Sequence, residues 1–364
     1  MHEARTIRSL GVEAPERMYF FNYEEGPPAP GHVRLDTLYS GFSAGTELTL
    51  LKGSNPYLHA RWDGERGLFV EGEPSARYPL PFLGYMESAR ILDGAEGFAR
   101  GDVVGATYGH KSGHTADPSH ELLVPLPGSL DPVLGIFTAQ MGPIAANGIL
   151  HADAESFGAN VRRLGEGIDG RPVIVMGAGT VGLLTALFAR SAGADVVVAE
   201  PSQWRRRKVE ELGLIAMTED QCRQHAKARW HHGAADRGAD FVFQTRARSE
   251  SLHCALQALR PQGSVIDLAF YQGGAAETRL GEEFHHNGLN LRCAQIARVP
   301  RGLAHRWDRK RLSAETVRLL QQNAKAIRDV MITHVVPINE APAFVSSLIA
   351  DRADFVQIVF DFQE

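Results

Sequence analysis

Val173-Ile-Val-Met-Gly177-Ala-Gly179-Thr180-Val181-Gly182 decides the fold. An apolar run passes straight into Gly-x-Gly-x-x-Gly, and Ala178 to Ala192 then carries helical periodicity. Each glycine has its own task. Gly177 permits the tight turn, Gly179 lets backbone approach a pyrophosphate, and Gly182 lets the helix pack close to the strand. Thr180 and Val181 lie at the helix start, where unpaired N–H groups and the macrodipole favour a phosphate. Ala194-Asp-Val-Val-Val-Ala199 reads as a strand buried on both faces, and it ends on Glu200. That carboxylate stands about 23 residues past Gly177, near the roughly 20 expected of a group that accepts a ribose 2′-hydroxyl. The whole strand–turn–helix–strand context, more than the three glycines, predicts a dinucleotide site.

Working outward, strands are expected at Val173–Met176, Val196–Ala199, Leu214–Met217, Asp240–Gln244, Ser264–Leu268 and Leu289–Ala294, with helical segments such as Gln203–Leu212 and Ser249–Leu259 between several of them. Strands alternating with helices make a parallel sheet through right-handed crossovers. The fold class is therefore α/β, a doubly wound parallel sheet. Residues before about 148 are β-rich: Val33–Tyr39 alternates like a half-buried strand, and shorter candidates follow, punctuated by Gly and Pro. Arg61 to Tyr78 is polar and glycine-bearing, an excursion from that core. Pro132 to His151 turns helical and rich in small residues. After about residue 305 a long helix, Ser313–Arg328, precedes a final β-like run, Phe355-Val-Gln-Ile-Val-Phe-Asp-Phe362, too far past the sixth strand to belong to the nucleotide fold. The expected organisation is a β-rich domain of residues 1–148 and 306–364 around a nucleotide-binding domain of residues 149–305.

At 364 residues the chain exceeds the size at which one core stops growing. A net charge of −5 with 44% hydrophobic residues suggests neither a nucleic-acid nor an anionic-membrane partner. No apolar run reaches membrane-spanning length, and Met1-His-Glu-Ala-Arg-Thr lacks the apolar core of a signal peptide. Cys222, Cys254 and Cys293 are odd in number and widely spaced, which argues for a reducing cytoplasm rather than a disulfide framework. A cytoplasmic enzyme acting on a small polar molecule is expected.

The ordered set Ser40-Gly-Phe-Ser43-Ala-Gly-Thr46-Glu47, Gly84-Tyr85-Met86-Glu87, Gly101-Asp-Val-Val, the Gly177 turn, and the ending Ile332-Thr-His…Phe355-Val-Gln-Ile-Val-Phe-Asp resembles the medium-chain dehydrogenase/reductase superfamily across nearly the whole chain. The resemblance implies a GroES-like β-rich catalytic domain beside the Rossmann sheet. It also exposes departures. Zinc-dependent members carry a metal-binding cysteine in the Phe42–Ala44 region, Gly-His-Glu where this chain has Gly84-Tyr85-Met86, and a third ligand near Gln140-Met-Gly-Pro143. None of these ligands is present, and the cysteine-rich lobe of a structural zinc is missing, because no cysteine precedes Cys222. A catalytic zinc needs three protein ligands and an open position, so neither a catalytic nor a structural zinc is expected. The motifs resemble a zinc-independent group that includes dehydrogenases of bacteriochlorophyll synthesis.

Without a metal, proton handling and carbonyl polarisation fall to side chains. The resemblance places Thr46 where zinc-dependent members relay the substrate proton; otherwise it is a turn residue after Gly45. Tyr85 stands in place of a zinc-binding histidine, as a carbonyl-polarising phenol or a packed aromatic. Ser43, Glu47 and Glu87 are expected as substrate contacts in the same segments, with Glu47 and Glu87 otherwise orienting carboxylates or ordinary ion-pair partners. Tyr108-Gly-His110-Lys111-Ser-Gly-His114 is the most unusual polar stretch, able to donate protons, to bind an anionic substrate group, or to be a surface loop. A metal on His110 and His114 is disfavoured by the glycines between them. His285 and His286 suggest a rim or an interface, and Arg246 and Arg248 either an anion contact or solvent-facing charges.

Glu200 favours NAD(H) over NADP(H) by repelling a 2′-phosphate, whereas Arg205 in Trp204-Arg-Arg-Arg-Lys208 could neutralise one or simply share a solvated helix face with Glu210 and Glu211. The leading expectation is a zinc-independent, NAD-dependent oxidoreductase acting on a polar secondary alcohol or ketone. A non-redox lyase, cyclase or epimerase with retained NAD, and a regulatory NADH sensor, are the alternatives. The apolar Leu289-Asn-Leu-Arg-Cys-Ala edge suggests a homodimer by sheet continuation.

Overall fold

The Pro172–Met176 strand that runs into the glycine turn lies third in a parallel sheet ordered Ile215–Met217, Asp195–Ala199, Pro172–Met176, Ala239–Gln244, Leu259–Asp267, Asn290–Cys293. Strand order reverses between Pro172–Met176 and Ala239–Gln244, which opens a crevice at their carboxyl ends. Val173, Ile174 and Val175 are fully buried. Both faces are covered, so an unbroken β-branched run is what this position requires. The computed structural model describes residues 3–351 and 354–363, and among them no helix is long and apolar enough to cross a membrane.

The chain divides into two units, Met1–Ala139 with His334–Glu364, and Gln140–Thr333. The boundaries expected at 148/149 and 305/306 therefore fall inside the second unit. Helices Met141–Phe157 and Arg309–Ala326 cause the shift. They pack so tightly that a Cβ added at Gly142 would lie 2.0 Å from Thr316 Cγ2. Arg309 also donates to Gln140 Oε1, and Arg190 reaches Asn323 Oδ1 at 3.1 Å. The small residues near 142–148 are visible in the sequence; the helix they receive is not.

In the first unit, Val33–Phe42 is the organising strand. It pairs antiparallel with Glu87–Asp93, with Gln357–Asp361 and, at its start, with Gly113–Ala116. Val103–Ala106 and Val124–Pro125 continue the sheet beyond Glu87–Asp93. An antiparallel hairpin, Arg5–Ala14 with Arg17–Glu25, precedes it. Val33–Phe42 is buried on both faces over most of its length: Val33 and Leu35 enter one apolar cluster and Phe42 another, while Thr37 and Ser40 are buried polar residues. The Arg61–Tyr78 excursion contains a short hairpin, Ala60–Asp63 with Leu68–Glu71, whose Trp62 and Phe69 rings are exposed.

Candidate active site

Gly177 turns with φ +100° and donates its N–H to Ala199 O at 2.8 Å. A Cβ at Gly182 would lie 2.0 Å from Gly177 O, whereas one at Gly179 would meet nothing within 4 Å. The helix Thr180–Ser191 starts there without a side-chain cap on Gly179. Two glycines thus close the turn, and the third keeps open the space over the helix start, the arrangement a pyrophosphate requires. Thr180 and Val181 form that helix start.

Glu200 is buried, and its carboxylate braces the turn. Oε2 accepts the Ala178 N–H at 2.8 Å and Oε1 accepts the Ser202 N–H at 2.9 Å. A carboxylate oxygen has two lone-pair sites, so each keeps one for a ribose hydroxyl. Ser202 Oγ accepts the Arg205 N–H at 3.3 Å and caps the next helix, Gln203–Glu211. Arg206 is committed to the carbonyl oxygens of Glu200 and Pro201, and Lys208 to Glu211. Arg246 pairs with Glu219 at 2.7 Å, and Arg248 is exposed.

In the first unit, Ser40-Gly-Phe-Ser-Ala-Gly-Thr-Glu47 ends the organising strand and opens the short helix Glu47–Leu51. Thr46 occupies the cap position, but its side chain makes no cap bond; it is hydrogen-bonded to Tyr85 instead. The Tyr85 hydroxyl also shares a short hydrogen bond with Ser43 Oγ. Burial first, then the charge of Glu47, pushes the Tyr85 phenol up to about 12, against the hydrogen bonds from Ser43 and Thr46. Two aliphatic hydroxyls therefore meet at a phenol that stays protonated, with Thr46 and Tyr85 only half-buried.

A buried ionic chain lies behind them. Glu47 Oε1 accepts the Ser43 N–H at 2.8 Å, and Glu47 Oε2 meets His110 Nε2 at 2.8 Å. His110 Nδ1 is bonded to Ser40 Oγ, which donates to Glu87 Oε1 at 3.0 Å. Glu87 also accepts the N–H groups of Met86 at 3.1 Å and Tyr108 at 2.8 Å. With Glu47 and Glu87 both ionised, Ser40 donates to Glu87, both ring nitrogens donate, and the ring is an imidazolium. Burial pulls the His110 pKa down, but Glu47 and then Glu87 outweigh it and raise the value above the usual one. Burial raises the carboxyl of Glu87, against the opposing charge of His110.

These positions correct three expectations. His110, Glu47 and Glu87, expected to touch substrate, are 0%, 1% and 0% exposed and hold one another. Gly84 makes room for the ring: with φ +95°, a Cβ there would lie 2.7 Å from His110 Cε1. Ser40, the link between the imidazole and Glu87, is not singled out by the sequence, because period-two alternation from Val33 puts it on the opposite face and only the burial of both faces at the strand's end encloses it.

Tyr108, Lys111 and His114 form a second cluster. Gly113–Ala116 is a strand, not loop. The Tyr108 hydroxyl is bonded to Thr37 Oγ1 at 2.6 Å, and its ring stacks on His114 with centroids 4.8 Å apart. Lys111 Nζ lies 3.3 Å from His114 Nδ1, and His114 Nε2 lies 2.7 Å from Glu121 Oε2. Burial lowers the Lys111 ammonium below its usual value, against the charges of Glu87, Glu25 and Glu121. His110 and His114 thus serve separate networks. His285 and His286 are exposed.

Residues 180–307 match the zinc-binding dehydrogenase family. D-Guloside 3-dehydrogenase of Escherichia coli K12 is 24% identical over 344 residues, covering 90% of this chain and 93% of that protein. Among solved structures, an alcohol dehydrogenase from Thermotoga maritima superposes with a TM-score of 0.73 at 18% identity, over 98% of this chain and 99% of its own. 2R,3R-Butanediol dehydrogenase from Bacillus subtilis gives 0.71 at 17% identity over the same shares. The α/β fold is that of the medium-chain alcohol dehydrogenases.

Proposed function

We propose that this chain, which has the fold of the medium-chain alcohol dehydrogenases and matches the zinc-binding dehydrogenase family over residues 180–307, is an NAD-linked oxidoreductase that interconverts a polar secondary alcohol and its ketone without a catalytic zinc. The observation that carries this reading is the trio of hydroxyls at Tyr85. Bound nicotinamide would supply or accept the hydride. The protein's part is then to hold the carbonyl and to move one proton. A neutral Tyr85 phenol donates a hydrogen bond to the carbonyl oxygen and gives up its proton as negative charge develops there. Ser43 and Thr46 hold the phenol oxygen, and half-buried Thr46 is the hydroxyl that relays a proton back to it.

The donor set supports zinc independence. A zinc ligand must be deprotonated, but Tyr85 is held protonated and bonded to Ser43. The nearby imidazole and carboxylates are fully committed to one another. These residues do not fit a catalytic zinc. Support for a polar, sugar-like substrate comes from the alignment with D-guloside 3-dehydrogenase over most of both chains. For NAD, support comes from the buried negative charge of Glu200 at the end of its strand and from the commitment of Arg206 and Lys208 to other partners.

Titration of the purified protein with NADH and NADPH, followed by nicotinamide fluorescence, tests the cofactor assignment. NADH is expected to bind at least tenfold more tightly, and Glu200→Gln to narrow that gap. Tighter NADPH binding would overturn the role of Glu200. Gly182→Ala, whose Cβ would collide with Gly177 O, is expected to weaken NADH at least tenfold; an unchanged Kd would mean that this turn does not hold the cofactor. Turnover of polar ketones with loss of NADH absorbance completes the test. Substrate conversion with no net change in NADH would instead identify a lyase, cyclase or epimerase.

A further inference from the structure

We propose that His253, Glu282 and Glu283 form a zinc site on the nucleotide-binding unit, outside the candidate active site. His253 lies on helix Ser249–Ala258, and the two glutamates lie on the helical turn Leu280–Phe284. One ligand atom from each residue lies within 4.8 Å of the other two, the one such group of histidine, cysteine and carboxylate side chains among the described residues. His253 Nε2 stands 4.0 Å from Glu282 Oε2.

A second observation points to a missing partner. His253 Nδ1 and Glu283 Oε2 are buried without a hydrogen-bond partner, a rare condition for buried polar atoms. Several polar atoms around them are paired. Glu283 Oε1 accepts from Gln257 Nε2 at 3.2 Å, Gln257 Oε1 accepts from Arg223 at 2.9 Å, and Glu282 Oε1 lies 3.4 Å from Arg279. His286 Nδ1 is occupied by Glu282 O at 3.1 Å. Two of the three clustered residues thus retain an unused atom.

One imidazole and two carboxylates are all ligand types that zinc takes, and three of them leave a fourth position open. Imidazole argues against magnesium and calcium, which take oxygen ligands. Zinc–ligand bonds of about 2.0–2.2 Å require the three atoms to close up by roughly an ångström. Glu282 is exposed, and swinging inward exchanges its 3.4 Å contact with Arg279 for the ion. Gln257 already orients Glu283 from behind, as an outer-shell partner does. The ion would pin the Leu280–Phe284 turn to helix Ser249–Ala258, just ahead of the edge strand Asn290–Cys293.

Metal-stripped, untagged full-length protein should be titrated with zinc chloride in competition with a chromophoric chelator. We expect one equivalent to bind with micromolar or tighter Kd, and no competition from magnesium. His253→Ala and Glu283→Gln should each weaken zinc at least tenfold, with circular dichroism unchanged. Zinc should also raise the Tm of the unmodified chain but not of either variant. No zinc binding, or equal affinity in both variants, overturns the proposal. Should either variant fail to fold, the exposed Glu282→Gln takes its place with the same expected loss. These readouts do not involve turnover, so the zinc site and the proposed oxidoreductase activity stand or fall separately.

Discussion

Tyr85→Phe is expected to lower kcat/KM for ketone reduction by about 10²–10⁴, the usual contribution of a positioned general acid. The loss should appear in kcat, with KM changed less than threefold, because the phenol acts on charge that develops only in the transition state. Thr46→Val should give a smaller loss in the same parameter. The phenol, pushed up to about 12, also dictates different pH responses in the two directions. For reduction it is fully protonated from pH 6 to 10, so Tyr85 adds no limb to that profile. For oxidation the phenolate must accept the proton, and at pH 8 only about one molecule in 10⁴ carries it. Oxidation should therefore rise about tenfold per pH unit over the same range. Steady-state rates with matched alcohol and ketone decide the matter. Wild-type kcat/KM in Tyr85→Phe would remove the phenol from the mechanism.

The second large effect is on stability. His110→Ala leaves Glu47 and Glu87 buried without their shared cation. Removing one partner of a buried pair costs about 3–5 kcal/mol, roughly a 6–20 °C fall in Tm for a unit of this size. Glu47→Gln keeps an acceptor for the Ser43 N–H and should cost less. The pH dependence has a definite sign. The His110 value is raised on folding, so its contribution is complete below about pH 6.5, the ordinary histidine value, and is lost as pH climbs through the folded value. Glu87 is raised as well, so its ionisation opposes folding in the same direction. Melting curves at pH 7 and 9 should show the wild type losing stability and His110→Ala lacking that part of the slope. A variant within 1 kcal/mol of the wild type would mean that the chain contributes nothing net.

The nucleotide half was legible because its signals are local. A β-branched run, three glycines at fixed spacing and a carboxylate at the next strand end all lie within Val173–Glu200. The active-site half depends on pairings that no local pattern announces. Tyr108-Gly-His110-Lys111 reads in sequence as a stretch open to substrate or solvent, because nothing near it shows that His110 slides under Gly84 and between two glutamates. The resemblance led to Ser43, Thr46 and Tyr85, and the structure brings those three together. It did not separate residues that present hydroxyls from residues that hold them in place. Glu200 is intermediate: its position was readable, but its bracing of Ala178 and Ser202 was not.

The strand that carries Ser40 has one neighbour, Gln357–Asp361, from the far end of the chain, and Gln357 Nε2 donates to Phe42 O across 315 positions. Phe360 from that neighbour packs edge-on against the His110 ring at 5.0 Å. During synthesis at about 5–20 residues per second, the site strand therefore waits roughly 15–60 s for its last partner. The unit Gln140–Thr333 is continuous and can be complete before then. The nascent chain should acquire its nucleotide fold first and its catalytic surroundings last. In that interval the half-formed β unit, with an open strand edge beside a buried charge chain, is the portion a chaperone would have to shield.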